Sequence, residues 1–383
     1  MKIAFLGSRG IPARYSGFET FYEEISTRLV NRGHQVTVYN RSHFIKDIEK
    51  NYHGVKIISL PSIKSKHFDT ITHTFLSTIH TLFNHYDIVY YCIVGNSPLV
   101  WIPRLLGAKS IINVDGEDWA REKWRGFAKK YQLWSEKIAC IAANLVISDA
   151  KIIQERYINR YRHPTVFVPY GANIKQTGKI DRLKKWDLEP NEYILYVGRL
   201  VPENGIDILI RSYLNISTKK KLVIVGDAPY VDLYKQKLFD LSNNHSNIIF
   251  TGYAFGEDYT QLSSHAYIYV QPSGIDGTRP ALLDQMGFGN CVIVRNSDAN
   301  LEVIGDVGLV FDKICPVESL TRVLSETINN EKVVLSYREK VQLRIKNYYN
   351  WDYIAGFYED LFYRMLKGDM EISYDNFLNH LGS

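Results

Sequence analysis

The stretch KIAFLGSRGIPARYSGFETFYEEISTRLVNRGHQVTVYN, residues 2–40, decides the fold. An apolar run at 2–6 is typical of a buried strand, and the glycine-bearing loop 7–17 follows it. Residues 19–32 then have a helical pattern, and 34–40 is again rich in β-forming residues. A strand, helix, strand order predicts parallel strands, because the helix returns the chain to the starting edge of the sheet.

The same alternation continues along the chain and predicts parallel sheets covered by helices on both faces. A chain of 383 residues is too long for one hydrophobic core. We therefore predict two doubly wound, Rossmann-like α/β domains, 1–172 and 173–349, facing a central cleft, with a helical segment at 350–383 that returns to the N-terminal domain. Further strands are predicted at 55–60, 87–94, 108–116, 143–148, 193–198, 221–227, 247–252, 266–273, 291–296 and 308–311.

The composition is that of a folded, water-soluble protein, with 45% apolar and 23% charged residues. The four cysteines form no Cys-x-x-Cys pair, which argues against a zinc knuckle or a disulfide framework and favours a reduced, cytoplasmic compartment. No stretch approaches the roughly 20 apolar residues of a membrane span. We expect no nucleic-acid partner.

The basic charge lies in the first half of the chain. Residues 1–172 hold 23 Lys+Arg against 14 Asp+Glu, whereas residues 173–383 hold 23 against 27. Two segments, 62–83 and 121–134, combine basic with aromatic and apolar residues. Such helices either lie on an anionic membrane surface or are solvated helices whose apolar side is core, and the sequence leaves both alternatives open.

Two motifs of the N-terminal half follow predicted strands. In GSRGIPARYSGFETF (7–21), the glycines permit close backbone approach before a helix start, although the spacing is neither Gly-x-Gly-x-x-Gly nor a P-loop. In NVDGEDWAREKW (113–124), carboxylates lie beside tryptophans, a combination that suits hydroxyl-rich ligands. Asp115, next to Gly116 at the strand end, is the residue most expected to enter the cleft.

The stretch PSGIDGTRPALLDQMGFG (272–289) predicts an anion site. Pro280 suits the first turn of a helix and Thr278 is predicted to cap it, so the amides of residues 277–279 would point at a bound phosphate. Asp276 and Asp284 flank this turn and could accept hydrogen bonds from sugar hydroxyls. Arg199, at the end of the strand 193–198, could pair with phosphate oxygens through its planar guanidinium.

These residues carry a resemblance that spans nearly the whole chain. VGRLVPENGIDILI (197–210), IVGDAP (224–229), IIFTGY (248–253) and YVQPSGIDGTRPALLDQMGFG (269–289) resemble the donor domain of retaining, two-domain (GT-B) glycosyltransferases of family 4. GSRGIPARYSGFETF, PSIKSKHFDTITHTFLS and VDGEDWAREKW look like the subgroup often labelled rhamnosyltransferases.

The resemblance implies a role for each matching residue. The implied catalytic residues are Asp115, Arg199 and Asp276. The implied donor-binding residues are Gly17, Arg199, Asn204, Asp276, Gly277, Thr278, Arg279 and Asp284. The implied acceptor-binding residues are Asp115, Gly116, Glu117 and Trp119. The resemblance also implies that no metal and no cofactor are needed, because the helix N-terminus and basic side chains neutralise the leaving diphosphate.

Three positions depart from the family pattern. Asp276 and Asp284 stand where glutamate is usual, so each carboxylate is one methylene shorter. Asn204 stands where many members have a phosphate-binding lysine, which leaves Arg199 with more of the diphosphate charge. Asp115 stands where many relatives have a histidine near the reacting carbon.

The resemblance implies transfer of a sugar, with rhamnose from dTDP-rhamnose as the first choice, to a saccharide or lipid-linked acceptor in cell-surface polysaccharide synthesis at the inner face of the membrane. The alternatives are a UDP-hexose donor within the same reaction class, an NAD-dependent oxidoreductase, and a sugar-binding protein without catalysis. The missing dinucleotide fingerprint argues against the oxidoreductase.

Overall fold

The computed structural model describes the chain except residues 14–16, 46–49, 66–67, 115, 117–125, 229–230, 244, 276, 370–372 and 382–383, and except the side chains of residues 127, 380 and 381. The chain divides into two units. Unit 1 comprises Met1–Gly171 and Trp351–Ser383, and unit 2 comprises Ala172–Asn350. Within the described residues, no helix has both the length and the apolar content needed to cross a membrane.

Unit 1 is built on an eight-stranded sheet in the order β3-β4-β2-β1-β5-β6-β7-β8. Every neighbouring pair is parallel except β3 with β4, a short hairpin that the sequence patterns did not predict. The strands are β1 (Lys2–Leu6), β2 (Gln35–Arg41), β3 (Asn51–Tyr52), β4 (Val55–Leu60), β5 (Ile88–Cys92), β6 (Lys109–Val114), β7 (Leu145–Ser148) and β8 (Val166–Phe167). The helices of this unit are α1 (Gly17–Asn31), α2 (Asp69–Thr81), α3 (Gly126–Ala142), α4 (Lys151–Tyr161), α12 (Trp351–Lys367) and α13 (Tyr374–Leu381).

Unit 2 is built on a six-stranded, entirely parallel sheet in the order β11-β10-β9-β12-β13-β14. Its strands are β9 (Tyr193–Val197), β10 (Lys221–Val225), β11 (Ile248–Gly252), β12 (Ile268–Gln271), β13 (Cys291–Arg295) and β14 (Leu309–Phe311). Its helices are α5 (Ile206–Leu214), α6 (Asp232–Ser242), α7 (Gly256–Ser264), α8 (Pro280–Gly287), α9 (Asp298–Ile304), α10 (Pro316–Ile328) and α11 (Glu331–Tyr348). The predicted doubly wound fold class is confirmed, because in both sheets the strand order reverses at an internal switch point.

The last long helix of the chain belongs to unit 1. α12 packs on α1 through aromatic rings, with Phe21 and Tyr358 centroids 5.4 Å apart. The hydroxyl of Tyr358 also lies 3.1 Å from that of Tyr90 on β5. Aromatic rings bury a large apolar area per side chain, so this contact supplies much of the cover for one face of the sheet.

Helix α2 has the reverse of the usual burial. Its buried residues are His73, Thr74, Ser77, Thr78 and Thr81. Their hydroxyls are satisfied locally: Thr78 Oγ1, for example, donates to the Thr74 carbonyl at 2.7 Å and lies 3.0 Å from the Tyr91 hydroxyl. Several apolar residues of the segment are exposed, with Phe75 47% and Phe83 78% exposed, whereas Ile71, Ile79 and Leu82 are half-buried. The alternative in which the apolar side of 62–83 is core is therefore wrong for the exposed phenylalanines.

Two backbones of unit 2 approach each other closely where β9 and β10 end. Gly226 has φ +129°, and a Cβ there would lie 2.0 Å from the carbonyl oxygen of Gly198. Only glycine fits such a conformation at such a distance. This contact sets the start of the loop that carries Arg199.

We expect Gly226→Ala to destabilise the protein by about 3–5 kcal/mol, because the strained φ and the clash add. Gly252→Ala is the matched control: its φ is +67°, but no atom lies within 4 Å of the added Cβ. It should cost only about 1–2 kcal/mol. Urea unfolding followed by circular dichroism measures both, and equal losses for the two variants would contradict the close-approach explanation.

Candidate functional site

The candidate site of unit 2 lies at the switch point between β9 and β12. Ligands bind beyond the carboxyl ends of parallel strands at such points, since the flanking loops diverge there. The loops after these two strands touch each other: Ser273 Oγ donates to the Glu203 carbonyl at 3.3 Å. A Cβ on Gly205 would lie 2.8 Å from the Pro272 carbonyl oxygen. Residues 198–205 and the described residues of 272–279 thus form one rim.

Arg199 begins this rim and is half-buried. Its backbone carbonyl accepts three hydrogen bonds, from Asn204 Nδ2 at 2.8 Å, from the Tyr196 hydroxyl at 3.3 Å and from the Val201 amide at 2.9 Å. The guanidinium, by contrast, makes no hydrogen bond or ion pair with any other described residue. The loop is therefore held by its backbone, and the charge is left for an anion.

Asn204 contributes to the rim in a way that the sequence did not suggest. Its side-chain amide is committed to the Arg199 carbonyl. A lysine at this position could not make this hydrogen bond with the same geometry, because its ammonium lies at the end of a longer, flexible side chain. The asparagine therefore acts on the site through the backbone of the arginine.

Helix α8 begins one residue later than an N-cap at Thr278 would predict. The N-cap is Arg279, which has an extended backbone (φ −99°, ψ 103°) and no side-chain cap. Pro280 explains this, since a residue before proline is kept out of the helical region. Thr278 as the N-cap is wrong. Thr278 is buried and follows Gly277, whose φ is +106°. Asp276 lies outside the described residues.

Arg279 is directed at its own loop. Its guanidinium donates to the Ile275 carbonyl at 3.0 Å, and its Nε is buried. The side chain therefore braces the turn that precedes α8, and its charge lies close to the helix N-terminus. Both features favour an anion at residues 277–279.

Asp284 lies one turn into α8, with 29% of its side chain exposed. The hydroxyl of Tyr259, on the neighbouring helix α7, donates to Asp284 Oδ2 at 2.8 Å. The Lys175 ammonium lies 3.9 Å from Oδ1. The sequence motif at 272–289 predicts neither partner, because both lie outside it and only the tertiary fold brings them to Asp284.

The glycine loop after β1 is the candidate site of unit 1. Asn40, which is fully buried, pairs with the backbone of Ile11: its Oδ1 accepts from the Ile11 amide at 3.0 Å and its Nδ2 donates to the Ile11 carbonyl at 2.7 Å. The Arg41 guanidinium donates to the Gly7 carbonyl at 3.0 Å and to Asp69 Oδ2 at 2.8 Å. Gly17, the predicted donor-loop residue, is the first residue of α1.

A buried histidine completes the support under this loop. His73 Nε2 lies 3.0 Å from the Asn40 carbonyl and donates to it. Burial, reinforced by the Arg41 charge, lowers the pKa of His73 to about 4. The imidazole is therefore neutral at physiological pH and serves as a hydrogen-bond donor, not as a charge.

The predicted acceptor-binding residues follow β6 in the sequence. Asp115, Glu117 and Trp119 lie outside the described residues. Gly116 is half-buried with φ +51°, two residues beyond β6. Across the part of the chain that the structure describes, no three His, Cys, Asp or Glu side chains group as metal ligands would.

Two family models match the chain. Residues 1–173 match a domain of unknown function (DUF1972), and residues 191–330 match the family described as glycosyl transferases group 1. The chain is 31% identical over 134 residues to the O-antigen chain mannosyltransferase B of Escherichia coli, a match that spans 34% of this chain and 35% of that enzyme. It is 24% identical to an uncharacterized glycosyltransferase of Methanocaldococcus jannaschii, over 93% of this chain and 96% of that one.

Solved structures with similar folds cover nearly the whole chain. Sucrose-phosphate synthase from Thermosynechococcus elongatus has a TM-score of 0.81 at 18% identity, over 96% of this chain and 100% of that one. Anabaena HepE in complex with UDP-glucose has a TM-score of 0.76 at 17% identity, over 96% and 100%. The chain has the GT-B fold, and its residues 191–330 match the glycosyl transferases group 1 family.

Proposed function

We propose that the protein is a retaining glycosyltransferase that moves a sugar from a nucleoside diphosphate to a saccharide acceptor. The observation that carries the proposal is the rim at the β9/β12 switch point, where the Arg199 guanidinium has no partner among the described residues and lies on the loop that contacts residues 272–279. A pyrophosphate matches such a site in charge and in hydrogen-bonding capacity. Asp284, further into α8, accepts a hydrogen bond from a hydroxyl of the nucleotide sugar.

The proposed reaction breaks the bond between the anomeric carbon and the diphosphate oxygen and forms a bond to an acceptor hydroxyl on the same face. Arg199 and the amides of residues 277–279 stabilise the charge that develops on the leaving diphosphate. The acceptor proton passes to the departing phosphate oxygen. In this proposal Asp276 holds the transferred sugar, and Asp115 orients the acceptor or stabilises positive charge at the reacting carbon, with Gly116, Glu117 and Trp119 around it.

The donor is proposed to be dTDP-rhamnose, on the resemblance of the N-terminal motifs to rhamnosyltransferases. A UDP-hexose is the second candidate, because a structure of similar fold is a complex with UDP-glucose. The match to an O-antigen chain mannosyltransferase supports an acceptor that is a growing saccharide chain, for which a lipid carrier is proposed.

Incubation with each donor and a lipid-linked saccharide should release dTDP or UDP, at a rate unchanged by EDTA because the amides and Arg199 take the role of a cation. The coupling constants of the product's anomeric proton, read by NMR, should match those of the donor configuration. Inversion would contradict the retaining mechanism. Donor binding without turnover would indicate a sugar-binding protein instead.

Replacement of Arg199 by alanine should lower kcat/KM by about 10²–10³-fold, the loss typical of one removed group that stabilises transition-state charge. Arg211→Ala on the exposed side of α5 is the matched control and should stay within twofold of wild type. Steady-state release of the nucleoside diphosphate measures both. A loss of less than threefold for Arg199→Ala would remove this residue from the diphosphate site.

The outward apolar side of α2 supports peripheral contact with an anionic membrane on the cytoplasmic side. Phe68, Phe75, Leu76 and Phe83 are 40–78% exposed, and Leu105, in the 3₁₀ helix Ile102–Leu106 that packs near α2, is 68% exposed. Lys64 and Arg104 are exposed in the same part of the unit. An apolar surface with basic neighbours suits an anionic bilayer, which would also carry the lipid-linked acceptor.

Wild-type protein should co-sediment with vesicles of phosphatidylglycerol and phosphatidylcholine at low salt, and less so at high salt. Phe75→Ser with Phe83→Ser should lower the bound fraction at least fivefold, because each change removes an aromatic ring from the exposed face. Leu233→Ser with Ile314→Ser is the control, since these side chains are 90% and 80% exposed in unit 2. Equal binding by both double variants would reject the α2 surface as the contact.

A further inference from the structure

Helices α7 and α8 are joined by polar contacts that include the hydrogen bond from the Tyr259 hydroxyl to Asp284 Oδ2. The direction of this bond is fixed by a second donor. Gln285 Nε2 donates to the Tyr259 oxygen at 3.3 Å, so the tyrosine proton is available for the carboxylate. Burial, together with the charge of Asp284, raises the pKa of Tyr259 well above its ordinary value, which keeps the proton on the hydroxyl.

A buried network holds Tyr259 and Gln285 in place. Gln285 Nε2 donates to Ser263 Oγ at 2.8 Å, and its Oε1 accepts from Asn290 Nδ2 at 2.7 Å. Asn290 Nδ2 donates in addition to the Ser263 carbonyl at 2.8 Å. Both amides are fully buried, and the ring of Phe288 packs edge-on against Tyr259 at 5.8 Å. These hydrogen bonds among buried side chains restrict the motion of Tyr259, so its hydroxyl is presented at a defined point.

Tyr259 and Lys175 both contact the Asp284 carboxylate. Tyr259 holds Oδ2 at 2.8 Å, and Lys175 attracts Oδ1 from 3.9 Å. The ammonium is 43% exposed on a flexible side chain, so the ion pair is weak while the tyrosine bond lasts. Without the tyrosine proton, the carboxylate could rotate toward the ammonium.

We propose that Tyr259 is a positioning residue of the nucleotide site: it orients the Asp284 carboxylate toward a hydroxyl of the nucleotide sugar and away from Lys175. The role matters more for an aspartate than for a glutamate, because the shorter side chain has less reach with which to correct a wrong orientation. This inference rests on the proposed function, in which Asp284 binds the nucleotide sugar.

The test compares nucleotide binding by wild type and Tyr259→Phe in calorimetry. The probes are dTDP, UDP and their 2′,3′-dideoxy counterparts, which lack the hydroxyls. Tyr259→Phe should weaken the binding of dTDP or UDP about 5–20-fold, since a hydrogen bond to a charged group is lost, and should leave the dideoxy nucleotides within twofold. Lys175→Ala in the Tyr259→Phe background should recover part of the loss.

Tyr234→Phe is the matched control. Its hydroxyl also donates to an aspartate of unit 2, Asp207 Oδ1 at 3.0 Å, but outside the rim. Tyr234→Phe should leave the affinities for all four nucleotides within twofold of wild type. Equal weakening of the dideoxy nucleotides by Tyr259→Phe would show a structural role only, and unchanged affinities would show no role; either result overturns the proposal.

The behaviour of the wild-type protein separates the two hypotheses. If it binds dTDP or UDP but does not distinguish them from the dideoxy forms, the role of Asp284, and with it that of Tyr259, is overturned while glycosyl transfer stands. If it binds none of the four nucleotides, the proposed function is overturned together with this role.

Discussion

The parallel pairing of strands on either side of a switch point is the constraint on which each unit depends. β9 lies between β10 and β12, and β1 lies between β2 and β5. Parallel strands end at the same edge of a sheet, so the loops that carry chemistry emerge together. The close approach of Gly226 to Gly198 shows how little space this leaves between neighbouring backbones. The position of Arg199 follows from strand order and from glycine at this contact.

Buried polar side chains then fix the conformation of the loops that follow these strands. Asn40 pairs with both polar backbone groups of Ile11, and Arg41 joins the Gly7 carbonyl to Asp69 at the start of α2. An unpaired buried polar group costs more than a hydrogen bond gains, so such networks specify one loop conformation. Unit 2 uses the same principle in the Tyr259 and Gln285 network beneath α8.

Helix α2 illustrates how a polar interior changes a surface. The hydroxyl side chains of the helix and His73 face β2 and β5. There the hydroxyls form hydrogen bonds, and His73 donates to the Asn40 carbonyl. Its phenylalanines are consequently left outside. The support of the glycine loop and the apolar surface proposed for membrane contact are thus two faces of one helix.

The sequence by itself determined the two parallel sheets, the bounds of the longer strands to within two residues, and the position of Arg199 at a strand end, because buried strands and glycine turns follow local rules. The two-residue strands β3 and β8 were not predicted. It could not determine which face of α2 is buried, since an amphipathic pattern reads the same inward or outward. It placed the cap of α8 on Thr278, although Pro280 shifts it to Arg279. Tyr259 came only from the tertiary structure, because it meets Asp284 across 25 residues of chain and no local pattern encodes that contact.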